Sequence, residues 1–253
     1  MSYASSLKPT DIIWHCFGCS PEYISSKVIL SRNDRLSEYE LFLTNVNRFS
    51  GVWKGISGSY NGARVTVLVS GKTSSNAGDC VVALKGTPCN SIFAEGTFGA
   101  INDSVAIGDF VLLDKALIGE GFSKYFGKKS GYSSANKKIS EKSLALLLGY
   151  CGGLSVKFHQ NAVSFTIDSF LAEDDDFLQS LKQKGVDVID MESSAVFTAA
   201  KHIGADCSFL GWCTDRPMDT SFYSKKQEKY EQTKKRAHAS IPKIMLDLVV
   251  TNE

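Results

Sequence analysis

The stretch DVIDMESSAVFTAAKHIG, residues 187–204, sets the reading of the whole chain. An apolar run ends on an acid, Met191 and Glu192 follow, and a helical pattern begins at Ser193 and closes at Gly204. A strand that passes at once into a helix is the building unit of an α/β fold. In such sheets ligands bind at the carboxyl ends of the strands. Of the two acids at this end, Asp190 is expected to cap the helix or face solvent. Glu192 could accept both hydroxyls of a diol, or it could simply be an acid favoured by the helix dipole.

Working outward, strands and helices alternate. DIIWHCFG (11–18) reads as a first strand, and Asn61-Gly62 as the turn of a hairpin spanning about 52–70. A helix follows Gly71 and closes at Gly86. SIFAEG (91–96) reads as a strand ending in glycine, and DFVLLDKAL (109–117) as another. SEKSLALLLGYC (140–151) is an amphipathic helix and NAVSFTIDSF (161–170) a strand. DDDFLQSLKQKG (174–185) is a short helix with acids first and lysines last. CSFLGWCT (207–214) is a strand, and a last helix runs from about Ser224 to Val250. Residues 120–138, rich in Gly, Ser and Lys, read as a surface loop near the site. The expected fold is α/β: one domain over 1–253, with a central mixed β-sheet flanked by helices on both faces.

Bulk properties narrow the partner. Lys+Arg 28 against Asp+Glu 27 leaves a net charge of +1, so no global field favours nucleic acid or an anionic membrane. A small molecule is the better default. No apolar run reaches the ~18 residues of a membrane span. The N-terminus lacks a secretory pattern, and seven cysteines form an odd set in apolar segments. Both point to the cytoplasm. WHCFGC offers one C-x-x-C without a second pair, so no metal is expected.

Two further strand ends carry chemistry. EGTFGAI (95–101) reads as a glycine turn whose amides and Thr97 hydroxyl could cradle an anion, or as a plain tight turn. Asp215 follows the apolar run CSFLGWC, so burial should raise its pKa and suit it to protonate a leaving group. A turn acid before Arg216-Pro217 is the alternative.

The motifs GSYNG, GTFGAIND, IGDFVLLDKAL, GEGFSKYF, TIDSF, VIDMESSAVF and WCTD, in this order over roughly residues 10–250, resemble the nucleoside phosphorylase/nucleosidase family. That family includes bacterial-type purine nucleoside phosphorylase, uridine phosphorylase and methylthioadenosine nucleosidase. The resemblance implies cleavage of an N-glycosidic bond through an oxocarbenium-like sugar. It implies that Met191 and Glu192 hold the ribose, that Phe170 stacks on the base and that Asp215 assists purine departure at N7. It puts Gly96 and Thr97 against substrate, and Gly18 and Thr97 around phosphate, with Arg48 donated to the phosphate by a neighbouring subunit if about three residues are inserted between it and GSYNG. It implies a homo-oligomer, dimer or hexamer, with inorganic phosphate as co-substrate and no cofactor. LAEDDDF stands where the uridine phosphorylases carry a Gln-x-Arg pair, which favours a purine over uridine. Two phosphate arginines of the pattern are replaced, one by Ala94 with Glu95 beside it, the other by Glu22 or Tyr23. Phosphorolysis is the preferred reading. Hydrolysis with Glu22 as base, and a non-catalytic nucleoside-binding or storage role, are the alternatives.

Overall fold

The computed structural model describes residues 8–136 and 141–251. Its first element corrects the sequence reading: the segment read as a strand is helix α1 (Pro9–Phe17). Pro9 stands in its first turn, where a missing N–H costs nothing. Ile13 and Phe17, four apart, bury one face while Trp14 faces out. Gly18 then ends the helix in the left-handed region, at φ 67°.

The first strand is instead β1 (Lys27–Ser31), an apolar run that the sequence reading passed over. After it come α2 (Leu36–Glu40), β2 (Thr44–Ser50), β3 (Lys54–Tyr60) and β4 (Ala63–Val69). Asn61 at φ 47° and Gly62 at φ 84° make the expected tight turn between β3 and β4. Next are α3 (Ser74–Val82), β5 (Ser91–Ala100), β6 (Phe110–Gly119), β7 (Tyr132–Ser134) and α4 (Glu141–Leu154). The chain ends through β8 (Phe158–Ile167), α5 (Asp175–Gln183), β9 (Val188–Asp190), α6 (Ser193–Ile203), β10 (Asp206–Asp215) and α7 (Glu231–Thr251). The last helix opens as a 3-10 turn, Lys225–Tyr230, before α7 begins.

Two other readings are refined. SIFAEG does not stop at its glycine, since β5 continues to Ala100. The 120–138 segment lies largely at the surface as expected, but its start is anchored: buried Glu120 accepts the N–H groups of Phe122 and Ser123 and the hydroxyls of Ser123 and Ser194. Positions 137–138, and the expected helix start at Ser140, lie outside the described residues.

The ten strands form one mixed sheet in the order β10-β6-β8-β9-β5-β1-β4-β3-β2, with β7 on β6. β10 also pairs with β5, so the β5, β10, β6, β8 and β9 end of the sheet closes on itself. Helices cover both faces. One core joins Ile13 and Phe17 of α1 to Ala77 and Cys80 of α3 and Val196 and Phe197 of α6. The other joins Tyr39 of α2 to Leu147 of α4 and Ile241, Ile244 and Met245 of α7. Among the described residues no helix is long and apolar enough to cross a membrane.

Candidate active site

A gap in the strand pairing of β5 makes the site. β1 accompanies β5 in parallel only as far as Ser31 opposite Glu95. β9 joins the same edge in antiparallel only at Ile189 opposite Gly99. Between these points Gly96, Thr97 and Phe98 have no strand neighbour on that side. The residues that follow each strand, Arg32 after β1 and Met191-Glu192 after β9, lie at the two ends of the gap. Arg32 Nη1 donates to Thr97 Oγ1, and Arg32 Nε stands 3.8 Å from Glu192 Oε1.

Asp190 sets the position of Glu192. Its Oδ1 accepts the N–H groups of Glu192 and Ser193, each at 2.8 Å, and it also receives the Ser193 hydroxyl. Thr166 Oγ1 adds a bond at 3.2 Å. Asp190 is therefore the buried capping acid, and solvation plays no part in its role. Glu192 makes no side-chain cap bond, so its carboxyl is free for another purpose. That carboxyl is 2% exposed. Its Oε1 accepts the Thr73 N–H at 2.9 Å, presented by a backbone at φ 79°. Its Oε2 has no hydrogen-bond partner among the described residues. Burial raises the Glu192 pKa, while the Arg32 guanidinium opposes the rise. A buried carboxylate oxygen without a donor costs roughly 1–3 kcal/mol, which a ligand hydroxyl would recover.

The other flank of β5 carries the acids. Asp215 ends β10 opposite Gly99. It accepts the Thr214 hydroxyl at 3.1 Å and the Phe222 N–H at 3.2 Å. Burial still raises its pKa to about 6, as the sequence led us to expect. Burial and the charge of Asp215 raise Glu173 to about 7. Phe170 opens a 3-10 turn after β8 and is half exposed, its ring centroid 6.4 Å from that of Tyr223. Met191 is half buried against the cluster that contains Ile101, Ile167 and Ile189. Asp168 ties this end together, accepting the Ser74 hydroxyl at 2.6 Å and the Gly121 N–H at 3.0 Å.

Thus Glu192 and Thr97 come together, and Met191, Phe170 and Asp215 stand at the same strand ends. Two expectations need correction. Gly18 is a helix cap pressed against the Ser50 carbonyl, not a strand-end glycine. Arg48, on β2, is largely exposed and paired with Glu40 within its own chain. The GTFGAI segment is strand and not a glycine turn: on its paired side Gly96 faces Gly211 of β10, and a Cβ there would lie 3.0 Å from the Phe209 ring. Glu22, the base of the hydrolytic reading, sits on an exposed turn before β1, its carbonyl accepting from Arg64. Ala94 is buried, and Glu95 is turned into the protein to receive the Ser31 hydroxyl.

Arg32, Glu173 and Tyr223 escaped the sequence reading. Arg32 follows a strand that was not recognised, and Glu173 carried no signal beyond its closeness to Phe170.

The model of the phosphorylase superfamily matches residues 31–249. The chain belongs to the phosphorylase superfamily. The match starts at Ser31, so α1 and Gly18 lie outside it. Solved superfamily structures share the fold. Uridine phosphorylase from Vibrio fischeri ES114 superposes with a TM-score of 0.73 at 21% identity, covering 90% of this chain and 93% of that one. Its complex with 6-hydroxy-1-naphthoic acid gives 0.75 at 21%, covering 91% and 93%. Purine nucleoside phosphorylase from Toxoplasma gondii, in complex with immucillin-H, gives 0.72 at 17%, covering 92% and 95%. Relatives named for uridine and for purine fit about equally well, so likeness of fold does not choose the base.

Proposed function

We propose that this superfamily member cleaves the N-glycosidic bond of a nucleoside by phosphorolysis, with purine nucleosides favoured, giving free base and pentose 1-phosphate. The observation that carries the reading is the buried Glu192 carboxyl, with one oxygen fixed by Thr73 and the other lacking a donor. Two vicinal sugar hydroxyls supply the missing donor and position C1′ over Thr97. The carbon–nitrogen bond then breaks with its electron pair moving to the base, and Asp215 gives its proton to N7 of a purine. A phosphate oxygen bonds C1′ as the base departs, so the oxocarbenium charge is met by an anion. Inorganic phosphate is the co-substrate and no cofactor takes part. The raised pKa of Asp215, about 6, supports the purine preference, because a proton is then available near neutral pH. Exposed Trp14, Leu41 and Val52 around the β2–β3 edge support a homo-oligomer.

The test follows free base from inosine, adenosine and uridine, with and without phosphate. Phosphate-dependent release, faster for the purines, is expected. Release that ignores phosphate would overturn phosphorolysis in favour of hydrolysis. Binding without release from any nucleoside would leave the non-catalytic reading.

A further inference from the structure

We infer that Asn76 is a positioning residue for the carboxyl that reads the sugar: tied to the Trp53 indole, it holds the turn at 71–73 so that the Thr73 N–H meets Glu192. The inference rests on the sugar assignment of Glu192 above and adds what keeps that carboxyl in place.

The Thr73 backbone is what calls for a reason. It stands at φ 79° and ψ 152°, a region that glycine occupies freely and a β-branched residue almost never. A threonine just before a helix usually serves by capping it with the hydroxyl, but Thr73 makes no side-chain cap bond to α3. What the conformation does deliver is the N–H, 2.9 Å from Glu192 Oε1. Such a backbone persists only where its surroundings hold it.

Two ties hold this turn. On one side the Ser74 hydroxyl donates to Asp168 Oδ1 at 2.6 Å. On the other, Asn76 lies so close over Gly71 that a Cβ on Gly71 would stand 2.3 Å from Asn76 Nδ2. Asn76 Oδ1 accepts the Trp53 indole N–H at 3.1 Å. Trp53 is fixed in turn by α1: its backbone N–H donates to the Cys16 carbonyl at 2.8 Å, and its ring centroid is 6.0 Å from that of Phe17. The second tie is therefore anchored on a helix that precedes the residues matched by the superfamily model. Its consequence falls on Glu192, whose Oε1 is fixed by Thr73 and whose Oε2 has no hydrogen-bond partner among the described residues. If the Thr73 N–H turned away, the carboxyl would lose the bond that sets its rotation, and Oε2 its aim at the sugar hydroxyls.

The experiment measures binding by calorimetry, for the better bound of inosine and uridine and for its 2′-deoxy form, to the parent, Asn76→Ala, Asn76→Asp, Trp53→Phe and Glu192→Gln. No phosphate is added, so the result does not depend on the nucleophile. Circular dichroism checks each fold. Trp53→Phe keeps a ring against Phe17 and removes the indole N–H. Asn76→Ala and Trp53→Phe should each lose roughly three- to tenfold of the parent's preference for the ribose form, the worth of one neutral hydrogen bond, with affinity for the deoxy form unchanged. Asn76→Asp still accepts the indole N–H and should stay near the parent. A parent-like preference in folded Asn76→Ala and Trp53→Phe, or a loss shared equally by both sugars, overturns the inference alone. A parent that prefers neither sugar, or a Glu192→Gln that keeps the preference, removes the sugar assignment and the inference with it.

Discussion

Replacing Glu192 with Gln tests the sugar assignment at nearly constant shape. The carboxylate accepts the Thr73 N–H at 2.9 Å, and the amide oxygen of Gln can keep that bond. What changes is charge. A hydrogen bond to a charged acceptor is worth about 1.5–3 kcal/mol net and a neutral one about 0.5–1.5. For two sugar hydroxyls the difference is about 2–3 kcal/mol, or roughly 30- to 150-fold in kcat/KM. Stability should move far less. Arg32 at 3.8 Å attracts Glu192, but burial of the carboxylate opposes that gain, and such pairs sit near balance. The sign with pH follows from the raised pKa of Glu192. Its proton stabilises the fold fully below about 4.5, the unfolded value, and that stability is lost as pH rises through the folded pKa. Glu192→Gln should thus gain on the parent in urea melts as pH rises. The assay compares kcat/KM for a ribonucleoside and its 2′-deoxy counterpart. The variant should lose most of the parent's preference for the ribose form. If kcat/KM stayed within about threefold of the parent, or fell equally for both sugars, Glu192 would not be the group that reads the hydroxyls.

Other outcomes follow from single contacts. Asp215→Asn should slow purine cleavage far more than uridine cleavage and flatten the fall in rate that the parent shows as pH climbs through about 6; an equal effect on both bases would refute proton delivery. The same variant should gain stability over the parent as pH rises from below 3.8 through about 6, because the raised pKa means that ionising buried Asp215 weakens the fold; a chemical denaturation series reads this. Gly96→Ala brings a Cβ to 3.0 Å from the Phe209 ring, and should cost about 1–3 kcal/mol in urea melts. Asp190→Ala removes the acceptor for two amides at 2.8 Å, so α6 should lose about 1–2 kcal/mol and Glu192 its fixed position. Parent-like stability together with parent-like activity would count against that capping role.

Local pattern made the α/β alternation legible. RVTVLVS, DVIDM and CSFLGWCT are apolar runs bounded by turn residues, and Asn61-Gly62 is a turn whose backbone only a few residue types adopt. α1 misled because DIIWHCFG is as apolar as a strand, and its four-residue spacing of Ile13 and Phe17 was outweighed by that run. Losing β1 had a further effect. A first strand at 11–18 would put the loop that follows it at Gly18 and Glu22, whereas the strand at Lys27–Ser31 puts Arg32 there.

The sequence by itself determined which residue types stand after the strands: an acid and a methionine after β9, a threonine between glycines in β5, an acid after β10. Those depend on neighbours in the chain, where spacing and composition speak directly. Only the tertiary structure decided that β1 stops at Ser31 and that β9 pairs with β5 no further than Ile189, leaving the edge of β5 open between them. Strand register is a non-local property, set by packing among segments far apart in the chain. For that reason the meeting of Arg32, Thr97 and Glu192, from three separate segments, appears only in the folded molecule.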